Sequence, residues 1–209
     1  MDTIEWLVSK KELILLFKEI VLTISGALAA YVAVQGLGAW RRQLRGKSNH
    51  DLARNILIKL YKYQEAISGV RNPFLIHSDI PENERQGKTP SQIQYLQYKK
   101  AYMERWGRVS EVRAELHPDL LEAVVLWGSK AKDICKPLFK LETELLITLR
   151  NDFRMRNPDS SQEERDAAAK QNKNRRDILH ETDENDPFKE DFYRELEKIE
   201  HFLRERLSL

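Results

Sequence analysis

IVLTISGALAAYVAVQGLGAW, residues 20–40, decides how this chain is read. These 21 residues carry no charge. Coiled as a helix they rise about 31 Å, close to the thickness of a bilayer's hydrocarbon core. Arg41, Arg42, Arg45 and Lys47 follow within seven residues, with no acid among them. Three readings compete for the segment. A secretory signal would use Lys10 and Lys11 as its basic region and Ala27-Leu28-Ala29 as its cleavage site. A buried helix of a soluble protein would accommodate Thr23, Ser25 and Gln35. A membrane span accounts for more: the apolar run passes the would-be cleavage site, reaches Trp40 and stops against four cations.

Cation placement then predicts orientation. Lys10, Lys11 and Lys18 precede the run and are interleaved with Asp2, Glu5, Glu12 and Glu19. The tight cluster behind it favours a cytoplasmic C-terminal side and an N-terminus outside. Trp40, Arg41, Arg42, Arg45 and Lys47 are therefore expected at the membrane interface. Gly26, Ala29, Ala30 and Ala33 have the small-xxx-small spacing that lets helices approach closely in lipid, which predicts a homo-oligomer through this face. Residues 3–19 have two readings that stay open. Ile4, Leu7, Leu13, Leu16 and Phe17 line the face of an interfacial helix, or the span itself begins near Leu13.

Outward from this segment the chain changes character. The 209 residues are 33% charged, and mean hydropathy is −0.60. The natural division is an anchor over 1–47 and a domain over 48–209. Of the formal net charge of +2, residues 1–47 hold +3 and the remainder −1. A near-neutral domain offers no electrostatic footprint for nucleic acid. Cys135 is the only cysteine, so an intrachain disulfide is excluded. Eight glycines, seven prolines and 3.6-residue periodicities point to an all-α fold.

Within the domain, Ser48-x-x-Asp51 is expected to start a helix whose stripe is Leu52, Ile56, Leu60, Tyr63, Ile67 and Val70, ended by Arg71-Asn72-Pro73. Residues 71–88 read as a polar connection with Phe74, Leu75 and Ile76 tucked against the core. Thr89-Pro90-Ser91-Gln92 has the form of a capping box with proline at the first helical position. It opens a helix offering Leu96, Met103, Trp106, Val109 and Leu116 to the core. His117-Pro118-Asp119 is expected to break that helix. From Leu120 to Leu145 an apolar series at spacings of four and three predicts one long helix, kinked at Pro137. Residues 157–186, with 14 charged residues among 30, suit a solvated helix capped by Ser161-x-x-Glu164, or a flexible segment. Asp186-Pro187 opens a last helix with Phe188, Phe192, Leu196, Ile199 and Leu203 on one face. The architecture expected is an N-terminal transmembrane helix followed by an antiparallel bundle of about four helices with coiled-coil-like packing.

Motifs for chemistry fail on context. His117-Pro118-Asp119 matches the tripeptide of J-domain co-chaperones, but Leu120-Leu121-Glu122 continues as helix where that family has a loop. No Glu-x-x-His occurs for a di-iron bundle, and the five histidines make no ligand pair. There is no Gly-rich phosphate loop or nucleophile elbow. Cys135 beside Ile134 reads as a small core residue. Lys99, Lys100, Arg105, Arg108 and Arg113 near Tyr95, Tyr98 and Tyr102 share their segment with Glu104, Glu111 and Glu115, as a solvated helix face does. No catalytic, cofactor-binding or metal site is expected.

Trp40-Arg41-Arg42-Gln43-Leu44, Tyr61-Lys62-Tyr63, Val70-Arg71-Asn72-Pro73, Trp127-Gly128 and Ile199-Glu200-His201-Phe202-Leu203 together carry a resemblance over most of the chain. The chain resembles a group of uncharacterised bacterial proteins with one N-terminal span and a helical cytoplasmic domain. The resemblance implies the bacterial inner membrane and supplies neither activity nor site residues. The function expected is a membrane-tethered interaction or scaffold protein without catalysis, touching a protein partner through Arg71, Phe74 and the loop around them. The alternative is a stress or defence effector whose spans associate and perturb the membrane.

Overall fold

The computed structural model describes residues 2–74, 78–173, 178–181 and 185–207, with the backbone alone at 2–16, 39, 42 and 45. Among the described residues the protein is all-helical, without a strand. Seven helices follow in order: α1 Asp2–Arg71, α2 Glu82–Arg85, α3 Pro90–Trp127, α4 Lys130–Asp133, α5 Lys136–Arg156, α6 Gln162–Lys173 and α7 Pro187–Leu207. The chain divides into two compact units, Met1–Ser48 and Asn49–Leu209.

The first unit is helix, and its apolar window is Phe17–Gly38, 22 residues with mean hydropathy 1.8 and none of it buried. By length and composition this window can cross a membrane. Two of its polar side chains are satisfied within the helix itself. The Thr23 hydroxyl donates to the Glu19 carbonyl at 2.8 Å, and the Gln35 amide donates to the Tyr31 hydroxyl at 3.3 Å. Such local bonding lets a polar residue face an apolar surround at low cost.

Ser48-x-x-Asp51 does not start a helix; α1 is already helical there and continues to Arg71. Gly46, Ser48 and Asn49 each cost only some tenths to about 1 kcal/mol in a helix, too little to break one whose flanking turns are well formed. In the second unit the stripe on α1 is as the spacing predicts: Leu52, Ala53, Ile56, Leu60, Tyr63, Ile67 and Val70 are all buried. The core is completed by Tyr102, Val109, Leu116 and Ala123 of α3, Leu138, Leu145 and Leu149 of α5, Ile178 and Leu179, and the stripe of α7 from Phe188 to Leu203. Burying each large aliphatic or aromatic side chain contributes roughly 1.5–3 kcal/mol.

Pro118 acts opposite to its expected role, whereas Pro137 follows directly on an interruption of the helix at Ile134 and Cys135. Pro118 lies inside α3, which runs unbroken to Trp127. Its ring is on the exposed face, and Leu116 beside it stays buried. Lys59 donates to the Glu115 carbonyl at 2.9 Å and to the Asp119 carboxylate at 2.8 Å, bracing the turn that holds the proline from α1. The break comes at Gly128, whose φ of 79° is open to glycine alone at low cost. Its N–H closes the helix on the Val124 carbonyl at 2.9 Å. Pro137 then sits in the first turn of α5, where its missing N–H has no partner to lose.

The caps at Thr89 and Ser161 form as their spacing predicts. Gln92 N–H donates to Thr89 Oγ1 while the Thr89 N–H donates to Gln92 Oε1. Ser161 and Glu164 exchange the same pair. On α3 the core face is set by Ala101 and Tyr102, and Met103 is exposed instead.

Candidate interaction surfaces

Arg71 lies in the interior, not on a contact surface. It is 3% exposed. Its Nη2 donates to both carboxylate oxygens of Asp186 at 3.0 and 2.8 Å. Nε donates to the Ile178 carbonyl at 2.7 Å, and Nη2 also reaches the His180 carbonyl at 3.0 Å. The guanidinium lies 4.5 Å from the Phe188 ring centroid. Asp186 meanwhile accepts the Lys189 N–H at 3.0 Å, capping α7. A buried guanidinium is tolerable when its charge is paired and its donors are bonded, and both conditions hold here. Arg71 is thus a latch that holds the stretch before α7 to the end of α1.

Phe74 is the opposite case. Its ring is 83% exposed, yet its backbone is held. The Phe74 N–H donates to Asn72 Oδ1 at 2.9 Å. Arg105 donates to the Asn72 carbonyl at 2.8 Å and to the Phe74 carbonyl at 2.6 Å. A large apolar ring presented on a fixed backbone loses little conformational freedom on binding. Leu75 and Ile76, expected to tuck inward beside it, lie outside the described residues. A groove of about 580 Å³ begins at Asn72 and Arg105 and runs between α1 and α3. Its floor is Ala66, Gly69 and Val112, and its rims carry Lys62, Glu65, Arg108 and Glu111.

Several other ionisable groups of the second unit join its helices to one another. The Tyr63 hydroxyl donates to Glu142 Oε2 at 2.9 Å, and Arg113 Nε donates to the same oxygen at 3.0 Å, joining α1, α3 and α5. Burial, and then the Glu142 carboxylate, hold the Tyr63 phenol well above its ordinary range. Tyr98 donates to Asp152 at 2.6 Å, and burial followed by this bond raises its phenol likewise. Arg156 closes that pair from the other side at 2.9 Å. Tyr98 and Tyr102 therefore belong to the interior packing, not to a basic surface. Cys135 is buried, which pushes its thiol up to about 11 and keeps it protonated. Among the described residues no three His, Cys, Asp or Glu side chains converge to hold a metal ion.

In the first unit Trp40 is 58% exposed, and Arg41 and Lys47 are exposed. The side chains of Arg42 and Arg45 lie outside the described residues, as do those of Ile4, Leu7, Leu13 and Leu16. Gly26, Ala29, Ala30 and Ala33 all face outward, and a Cβ added at Gly26 would meet nothing within 4 Å. No protein-family model, curated protein or solved structure matches the chain.

Proposed function

We propose that the chain is a membrane-tethered interaction protein of the bacterial inner membrane, crossing once through Phe17–Gly38. The observation that carries this reading is a 22-residue apolar window with none of its surface buried in the protein. So long an apolar helix has no reason to stay in water. Its N-terminus lies outside, and residues 48–209 form a cytoplasmic antiparallel bundle of about four long helical segments. The bundle contributes binding rather than catalysis, and tethering raises its effective concentration for partners at the bilayer.

The partner surface is Phe74 and the adjoining groove between α1 and α3. Arg71 drops out of the contact and becomes its support. A photo-crosslinking residue at Phe74, installed in the full chain in native membranes, is expected to give a discrete and reproducible protein adduct. Absence of any adduct there, with the chain correctly inserted, removes the partner reading. Deleting residues 71–88 is the wrong test, since it also removes the latch and unfolds what it is meant to probe.

A second reading is favoured by the open Gly26 face. In it the spans associate through Gly26, Ala29, Ala30 and Ala33 and perturb the membrane under stress. Induced expression then depolarises cells, and Gly26→Leu abolishes the effect. Normal membrane potential at high expression removes this reading.

A further inference from the structure

The second unit carries an apolar patch that the fold leaves unused. Leu121, Val125 and Leu126, near the end of α3, are 55%, 83% and 47% exposed. Leu121 and Val125 stand one turn apart and belong to one face. The next segment, Ser129 to Lys140, holds four lysines and one aspartate. Lys130, Lys132, Lys136 and Lys140 are all exposed, and Asp133 is occupied by Lys136 at 2.6 Å. Exposed apolar side chains followed along the chain by exposed lysines are the composition of a surface that rests on lipid headgroups, with Lys136 paired to Asp133 and Glu122 exposed beside Leu121 as the opposing charges.

The position of this patch within its unit matters as much as its composition. The Trp127 indole N–H donates to Asn49 Oδ1 at 3.1 Å, so the end of α3 lies where the chain enters the second unit. Asn49 follows Gly38, the last residue of the apolar window, by 11 residues. Even fully extended, that stretch spans at most about 40 Å. The intervening cluster Arg41, Arg42, Arg45 and Lys47 carries the same sign of charge as the lysines.

We infer that Leu121, Val125, Leu126 and the lysines from Lys130 to Lys140 form a second contact with the bilayer, selective for anionic lipid. This rests on the membrane-anchor reading and adds to it. The span fixes the chain to any bilayer, and this patch docks the domain only where the surface is negative. The domain thereby has two states, docked and free, set by the lipid beneath it.

The test uses the full chain with a nitroxide at Val125→Cys, reconstituted in phosphatidylcholine vesicles with and without phosphatidylglycerol. Native Cys135 is buried and does not compete for the label. Flotation is measured first. A chain that fails to float with either vesicle overturns the anchor reading and this inference with it. With the chain floating, the label at 125 is expected to gain oxygen accessibility and lose accessibility to a water-soluble relaxant only when phosphatidylglycerol is present. A label at Arg108 is expected to stay water-exposed in both. Lys130→Glu with Lys132→Glu lowers the docked-to-free ratio by roughly fivefold per lysine. Leu121→Glu, at an exposed position, lowers it without touching the core. A water-exposed label at 125 in anionic vesicles overturns the docking inference alone. Dipolar broadening between labels at 125 also overturns it, because a second copy is then what covers the patch.

Discussion

Within one helix, α1, Phe17–Gly38 and Asn49–Arg71 solve the same backbone problem in opposite ways. Both satisfy their main-chain groups internally. Phe17–Gly38 is predominantly apolar, uncharged after Glu19, and buries nothing against protein. Asn49–Arg71 is apolar on one stripe only, and that stripe is wholly buried. The difference teaches that a helix's sequence is written for its surroundings. A uniform surface suits a uniform solvent, and a striped surface needs a partner along the stripe.

The largest expected effect breaks the striped half from its far end. Arg71→Ala removes the buried guanidinium that pairs with Asp186 and is expected to cost about 3–5 kcal/mol. Thermal unfolding of the full chain in detergent, followed by circular dichroism of the cooperative transition, measures it. Leu60→Ala in the same half is expected to cost about 2–5 kcal/mol, while Leu28→Ala in the other half leaves that transition where it was. Equal shifts for the two would erase the distinction between the halves. Conversely, Leu28→Arg is expected to cost about 2.5–3.5 kcal/mol of membrane insertion, read from glycosylation-site or protease mapping, with the unfolding transition of the second unit unmoved.

Alkaline pH separates the halves chemically. Cys135, Tyr63 and Tyr98 all have their pKa raised by folding. The unfolded chain therefore loses these protons first, and stability falls as pH rises. The loss begins near pH 9 with the thiol and steepens above about pH 10 with the phenols. Each group contributes up to about 1.4 kcal/mol per pH unit within its window. Tyr63→Phe is expected to flatten the steep part, as shown by urea midpoints collected from pH 8 to 11. The smallest effect belongs to a cap. Thr89→Ala is expected to cost about 1 kcal/mol, and Thr89→Ser to restore it.

How much could be read in advance follows from the range of each interaction. The stripes on α1 and α7 and the caps at Thr89 and Ser161 depend on residues within a few positions of one another, and their spacing displays them. Pro118 and Pro137 look alike in a sequence, yet α3 runs through the first, and the α4–α5 interruption lies directly before the second. At Pro118 the helix is braced by Lys59 of α1, and the chain turns instead at Gly128. Gly128 was the available signal: a glycine just after an apolar turn, before Ser129. Arg71 beside Asn72-Pro73 looks like a surface residue. Its counter-charge lies 115 positions away, and no local pattern announces that pairing. Met103 is one position from Tyr102, and it is Tyr102, seven residues before Val109 and fourteen before Leu116, that shares their buried face.

The Arg71–Asp186 latch also imposes an order on biosynthesis. At typical ribosomal rates, roughly 6–23 s separate the synthesis of Arg71 from that of Asp186. During that interval α1 carries Arg71 without the carboxylate that will pair with it. The pair can therefore close only after α3 and α5, which lie between its two members in the chain, have both been made.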